Sequence, residues 1–90
     1  MKRAIVTVLG SDRVGIIARV SALLAQREVN ILDINQTVMQ EYFTMVMMVD
    51  VGGCNVPFET LKADLLALGE ELGMRIHAQH QDIFDAMHRI

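Results

Sequence analysis

Tryptophan is absent from this chain of 90 residues, and proline and cysteine occur once each, as Pro57 and Cys54. A single cysteine closes no internal disulfide, so a disulfide-stapled secreted scaffold is excluded, and a resting thiol suits a reducing cytoplasm. Aromatic residues are equally scarce, with one Tyr and three Phe. That is too few for the base-stacking platform of RNA-binding sheets. Basic residues are few and scattered: eight Lys and Arg against eleven Asp and Glu leave a formal charge of -3. Phosphate backbones are held by clustered cations, so a direct nucleic-acid partner is not expected. The longest apolar run, Met45 to Val49, is far too short to cross a bilayer. After Met1-Lys2-Arg3, the stretch Thr7 to Gly15 brings in polar, charged and glycine residues where an export signal needs an apolar core, so neither export nor a membrane partner is expected.

What is present is a hydrophobic fraction of 52% with only 21% charged residues, which excludes disorder and predicts one soluble domain over residues 1–90. A domain of this size buries only about 60% of the surface its unfolded chain exposes. Support from a second copy, as a homodimer, is therefore expected.

Periodicity divides the chain into elements. Ala4 to Leu9 is a short run rich in Ile and Val that ends at Gly10 and reads as a buried strand. Turn-forming residues follow to Gly15. Ile16, Ile17, Val20, Leu23 and Leu24 then recur at helical spacing, with Ser11 or Asp12 as the predicted cap. Val29-Asn30 turns the chain into a second strand, in which Leu32, Ile34 and Val38 are predicted to face the core and Asp33, Asn35 and Thr37 the solvent. Gln40-Glu41 makes a tight hairpin into a third strand, Tyr42 to Val51, which reads as buried on both faces or nearly so. Its methionines, Met45, Met47 and Met48, read as core filling. Gly52-Gly53 breaks the chain. Pro57 suits the first turn of a second helix with Phe58, Leu61, Leu65, Leu68 and Leu72 on one side, and Gly73 ends it. Met74, Ile76, Ala78 and His80 alternate with polar residues in a fourth strand, and Asp82 is placed to cap a short C-terminal helix with Ile83, Phe84, Met87 and Ile90 on one side. The predicted fold is thus α+β, a ferredoxin-like βαββαβ sandwich with a four-stranded antiparallel sheet, two helices on one face and that short final helix.

Several chemistries lack their residues. The first loop has no cysteines for metal delivery. His77 and His80 are three apart on a strand and so face opposite ways, and His88 belongs to the final helix. No metal and no cofactor are expected. No Ser or Cys has a base at a recognisable spacing, and there is no phosphate loop, so the chain is read as non-enzymatic. The enzymatic alternative is acylphosphatase-like, with Arg13 in the first loop and Asn35 on the second strand matching only in residue type. What remains is the first loop feeding a helix N-terminus, where free N–H groups and the positive dipole end suit a small carboxylate. Asp12 and Asn30 supply oxygen acceptors for an ammonium group, or else Asp12 only caps a helix and Asn30 only occupies a turn.

The strand followed by Ser11-Asp12-Arg13-Val14-Gly15-Ile16, with Val29-Asn30-Ile31 after the helix, resembles the ACT family. There an Asp/Asn-Arg-Pro-Gly loop and a Val-Asn-Ile turn recur. Val14 stands where proline is usual, and Gly10 where serine-responsive members place a ligand-binding histidine. Val6 to Gly10, Ile34 to Val38, Glu41 to Met45 and the ending Gln81 to Ile90 resemble a narrower group, the short stand-alone ACT proteins of the UPF0237 type, related to the glycine-cleavage transcriptional repressor. The resemblance implies a regulatory, non-catalytic module that binds an amino-acid-like ligand between the subunits of a dimer. Its implied site is Gly10, Ser11, Asp12, Arg13, Val14, Gly15, Asn30 and Ile31. The competing reading is an interaction module of the same fold that takes no ligand.

Overall fold

The computed structural model describes residues 2–11 and 15–82. Six elements run in the predicted order: β1 (Arg3–Ser11), α1 (Ile16–Gln26), β2 (Asn30–Met39), β3 (Tyr42–Asp50), α2 (Phe58–Leu72) and β4 (Arg75–His80). The strands form one antiparallel sheet in the order β2-β3-β1-β4, leaving β2 and β4 as its edges. Gln81 and Asp82, the last described residues, are already helical, so Asp82 stands within the first turn rather than before it as a cap; Ile83, Phe84, Met87, His88 and Ile90 of the expected final helix lie outside the described residues.

Strand periodicity of two decides what is buried. Ala4, Val6 and Val8 of β1 lie level with Val49, Met47 and Met45 of β3, and Val6 and Val8 with Ala78 and Ile76 of β4. All of them join Ile16, Val20 and Leu24 of α1 and Leu61, Leu65 and Leu68 of α2 in one core. Both helices therefore cover the same face. Ile17, one position from that stripe, is 36% exposed rather than buried. In β3 the expectation of two buried faces gives way to alternation: Phe43, Met45, Met47 and Val49 are buried, while Thr44, Val46 and Met48 are half-exposed on the face without α1 or α2.

Each helix ends in the same device. After α1 the N–H groups of Glu28 and Val29 reach the carbonyls of Ala25 and Leu24 at 3.0 and 2.8 Å. After α2 those of Gly73 and Met74 reach Glu70 and Gly69 at 3.3 and 2.8 Å. These are Schellman ends, which need a left-handed residue. Gly73 supplies it at φ 70, and Glu28 at φ 59. Pro57 stands one residue before α2, as its N-cap, and its missing N–H costs nothing there. The helices are tied to each other by Arg27 Nε to Asp64 Oδ2 at 2.9 Å, half-buried, and by the exposed pair Arg19–Glu71 at 3.0 Å. Exposed pairs of the second kind add at most about 1 kcal/mol.

Gly69 of α2 packs closely against Met74 and Ile76 at the start of β4. A Cβ there would lie 2.7 Å from the Met74 carbonyl oxygen and 3.2 Å from Ile76 Cγ1, so the backbones would have to separate. Gly69→Ala is expected to lose roughly 1 to 3 kcal/mol in urea unfolding, as overpacked sites do. Gly53→Ala, whose Cβ would meet nothing nearer than 3.8 Å, is the control and should stay within about 0.5 kcal/mol.

Candidate functional site

The first loop is held at both described ends. Gly10 and Ser11 finish β1 opposite Phe43 and Tyr42, and Gly15 opens α1 at φ 85, ψ 1, accepting the Arg19 N–H at 3.0 Å. Asp12, Arg13 and Val14, between these anchors, lie outside the described residues. Ser11 does not cap α1 as predicted: it is the last strand residue, the N-cap is Gly15, and among the described residues no side chain caps that end. The left-handed conformation at Gly15 carries the chain into the helix, and only glycine takes it without strain. Among the described residues no side chain takes up the first-turn N–H groups of α1 at its positive dipole end.

Asn30 and Ile31 lie at the other end of the sheet. Asn30 is opposite Asp50, which is opposite Arg3, whereas Ser11 is level with Tyr42 and Met39. From Arg3 to Ser11 along β1 is roughly 26 Å at about 3.3 Å per residue. One chain thus keeps the Gly10–Gly15 loop and the Asn30–Ile31 segment apart. Asn30 is exposed and extended, the first residue of β2, and the tight turn before it is carried by Glu28. Ile31 packs on the edge of the core.

The most exposed element between these two ends is β2 itself. Every residue in it except Ile31 is exposed, including Ile34 at 37%, Val38 at 57% and Met39 at 68%. Ile34, Gln36 and Val38 lie level with the buried Met47, Met45 and Phe43, so they share the helix-covered side. The second strand was expected to bury that side, and within one chain it does not. Position explains it: β2 is an edge of the sheet, whereas Phe43, Met45 and Met47, level with Val38, Gln36 and Ile34 on the neighbouring inner strand, are buried on that side. A register shift between Ile31 and Asp33 also makes Leu32 a bulge residue rather than a member of the alternating row. Tyr42, 57% exposed across the hairpin from Met39, extends the apolar edge.

Other candidate groups stand separately. Asn35 and Thr37 lie level with Val46 and Thr44 on the open face, away from the Asn30 end, and Arg13, the other member of the acylphosphatase-like pair, lies outside the described residues. His77 is level with Thr7 on the open face, while His80, level with Ala4, stacks on Phe58 with ring centroids 4.0 Å apart. Among the described residues no three metal-ligating side chains come together. Cys54 is half-buried beside a cavity of about 230 Å³ that Lys2, Phe58 and His80 also line. A wider groove between α1 and α2, about 370 Å³, has both interhelix ion pairs in its walls. No described helix is long and apolar enough to cross a membrane.

Comparison with known proteins places this geometry. Residues 2–79 match the model of the ACT domain family. A UPF0237 protein of Methanocaldococcus jannaschii is 51% identical over 90 residues, all of both chains. An ACT domain protein of Streptococcus pneumoniae superposes with a TM-score of 0.81 at 40% identity, covering 93% of this chain and 94% of the other. A solved protein assigned as a glycine cleavage system transcriptional repressor shares the fold, with a TM-score of 0.75 at 23% identity over 89% of this chain and 46% of its own. A ferredoxin-like sheet, a glycine-opened first loop and these relatives together establish that the chain belongs to the ACT domain family, among its short UPF0237 members.

Proposed function

We propose that residues 1–90 act as one regulatory module that binds a small amino-acid-like ligand, catalyses nothing itself, and completes its site only when two copies pair through β2. The support is the separation of the two site segments combined with the bare apolar edge between them. Antiparallel pairing of two β2 strands about a twofold axis sets the Asn30 end of one strand beside the Met39 end of the other. That end is level with Ser11 and the first loop, so each loop gains the partner subunit's Asn30. Backbone N–H groups at the loop and the start of α1 take the carboxylate, and Asp12 with the partner subunit's Asn30 holds the ammonium. Arg13 and Val14 complete the loop, Ile31 lies beside Asn30, and Gln36 sits near the middle of the joined strands.

The test is a thermal-shift screen against the twenty amino acids, followed by calorimetry. A ligand at a hundred times its dissociation constant adds about 2.7 kcal/mol, a rise of roughly 10 to 20 °C for so small a domain. Asn30→Ala, at an exposed position, is expected to lower affinity about tenfold or more while leaving the unliganded melting temperature within a few degrees. Undiminished affinity in that variant removes Asn30 from the site. Silence across the whole panel from a protein that remains dimeric favours the ligand-free interaction module instead.

A further inference from the structure

The cavity at the foot of α2, about 230 Å³, is walled by segments that are each held in place. Lys2 prolongs the β1–β3 ladder, its carbonyl accepting the Val51 N–H at 2.8 Å. The chain then turns, with the Cys54 N–H donating to the Val51 carbonyl at 3.1 Å. Asn55 ties that turn to the end of α1: its backbone N–H donates to the Arg27 carbonyl at 3.1 Å and its side-chain Nδ2 to the Gln26 carbonyl at 3.0 Å. Val56 and Phe58 pack on the core, and the Phe58 ring keeps the His80 imidazole stacked upon it. The space is thus formed before anything enters it, as small-molecule sites usually are.

Its lining is one-sided in charge. Lys2 and His80 bring hydrogen-bond donors, Val51, Val56 and Phe58 bring apolar surface, and Cys54 brings a thiol. Among the described residues no Asp or Glu lines it, although acidic residues outnumber basic ones in the chain. Asp50, two positions before Gly52, is engaged elsewhere, since its Oδ1 accepts the Gly52 N–H at 2.9 Å. We propose that this cavity is a second ligand site, which takes a small organic anion: a carboxylate on a short apolar body. The Lys2 ammonium and an imidazole N–H of His80 hold the carboxylate by charge-assisted hydrogen bonds. The apolar part lies against Val51, Val56 and Phe58. At about 30 Å³ for each water the cavity has the room of roughly eight, so an acid of about four to six carbons fits and a nucleotide does not. One chain supplies every wall, at the end of β1 opposite the first loop, so this site needs no pairing through β2.

Cys54, the only cysteine of the chain, lines the cavity and so reports what enters it. Iodoacetate and iodoacetamide alkylate it by the same step: the thiolate sulfur attacks the methylene carbon, a C–S bond forms, the C–I bond breaks, iodide leaves, and the thiol proton passes to solvent. Only iodoacetate carries a carboxylate. With mass spectrometry as the readout, the ratio of iodoacetate to iodoacetamide rates in the folded protein is expected to exceed that in the urea-unfolded chain by about tenfold, the scale of a hydrogen bond to a charged group. Lys2→Met, at an exposed position, and His80→Phe, which preserves the stack on Phe58, should each return the ratio most of the way to the unfolded value. Butyrate should slow both reagents in the wild type. Equal ratios in the folded and unfolded states, or a ratio that neither variant alters, overturn the anion site. Protection by inorganic phosphate but not by butyrate overturns the apolar body of the ligand. If the half-buried thiol reacts with neither reagent, a butyrate titration followed by amide NMR decides: shifts gathered at Lys2, Cys54, Phe58 and His80 support the site, and their absence overturns it.

Discussion

Leu65→Ala is expected to lower the midpoint of thermal unfolding by roughly 10 to 30 °C, measured by circular dichroism. Leu65 lies at the centre of α2 with no exposed surface, in the core that Leu61, Leu68 and Ile76 share. Truncating a fully buried leucine costs about 2 to 5 kcal/mol, through lost transfer energy and the cavity left behind. In a domain of 60–100 residues each kcal/mol corresponds to about 4 to 8 °C. Small domains have little stability to lose, so the variant is expected to populate its unfolded state at ordinary temperatures. The adjacent Leu66, 48% exposed, provides the comparison: Leu66→Ala should stay within about 0.5 kcal/mol of wild type. Equal losses at the two positions would mean that α2 presents a different face to the sheet.

On the proposed pairing through β2, replacing Ile34 and Val38 together by lysine is expected to turn dimers into monomers, weakening association by roughly a hundredfold or more, about 2.8 kcal/mol. Both side chains lie exposed on the helix-covered side of an edge strand. Across a twofold axis each substitution occurs twice, so four new charges meet on strands that would otherwise bury apolar surface, and lysine on an edge is a known barrier to pairing. The fold of each chain should survive, because neither residue belongs to its core. Sedimentation equilibrium reads the association, circular dichroism the fold, and the ligand response should vanish with the dimer. Ala63→Lys, at an exposed position of α2, should leave all three unchanged. A double-lysine variant that remains dimeric shows that copies meet through another surface.

The order of elements was legible because its signals are local. The apolar period of Ile16, Val20 and Leu24 and that of Leu61, Leu65 and Leu68 are helical, and the break at Gly73 needs only a left-handed residue. The hairpin at Gln40-Glu41 was equally local, with Met39 and Tyr42 facing each other across two residues. Where the reading failed, the deciding neighbour lay elsewhere in the chain. Ser11 looked like a cap because serine before an apolar run usually is one, but pairing with Tyr42 draws it into β1. Ile34 and Val38 looked buried because alternation shows which residues share a face, not whether anything covers it. The burial of β3 was overestimated for the same reason, since only one of its faces meets α1 and α2.

The candidate site divides in the same way. The chemical character of the first loop and of Asn30 could be read from residue type and from family resemblance, because backbone geometry and side-chain acceptors are properties of short segments. Their positions could not. Antiparallel register sets Asn30 level with Arg3 and Ser11 level with Met39, and register comes from the summed packing of three strands rather than from any one of them. Nor does anything near Gly10 in the chain announce Met74, which reaches it only because α2 returns β4 to the free side of β1. Sequence by itself determined the elements, their order and the polar groups available, since these depend on near-neighbour periodicity. Tertiary structure alone decided which groups meet, which edge is left bare and which side chain packs beside Gly10, since those follow from contacts between residues far apart in the chain.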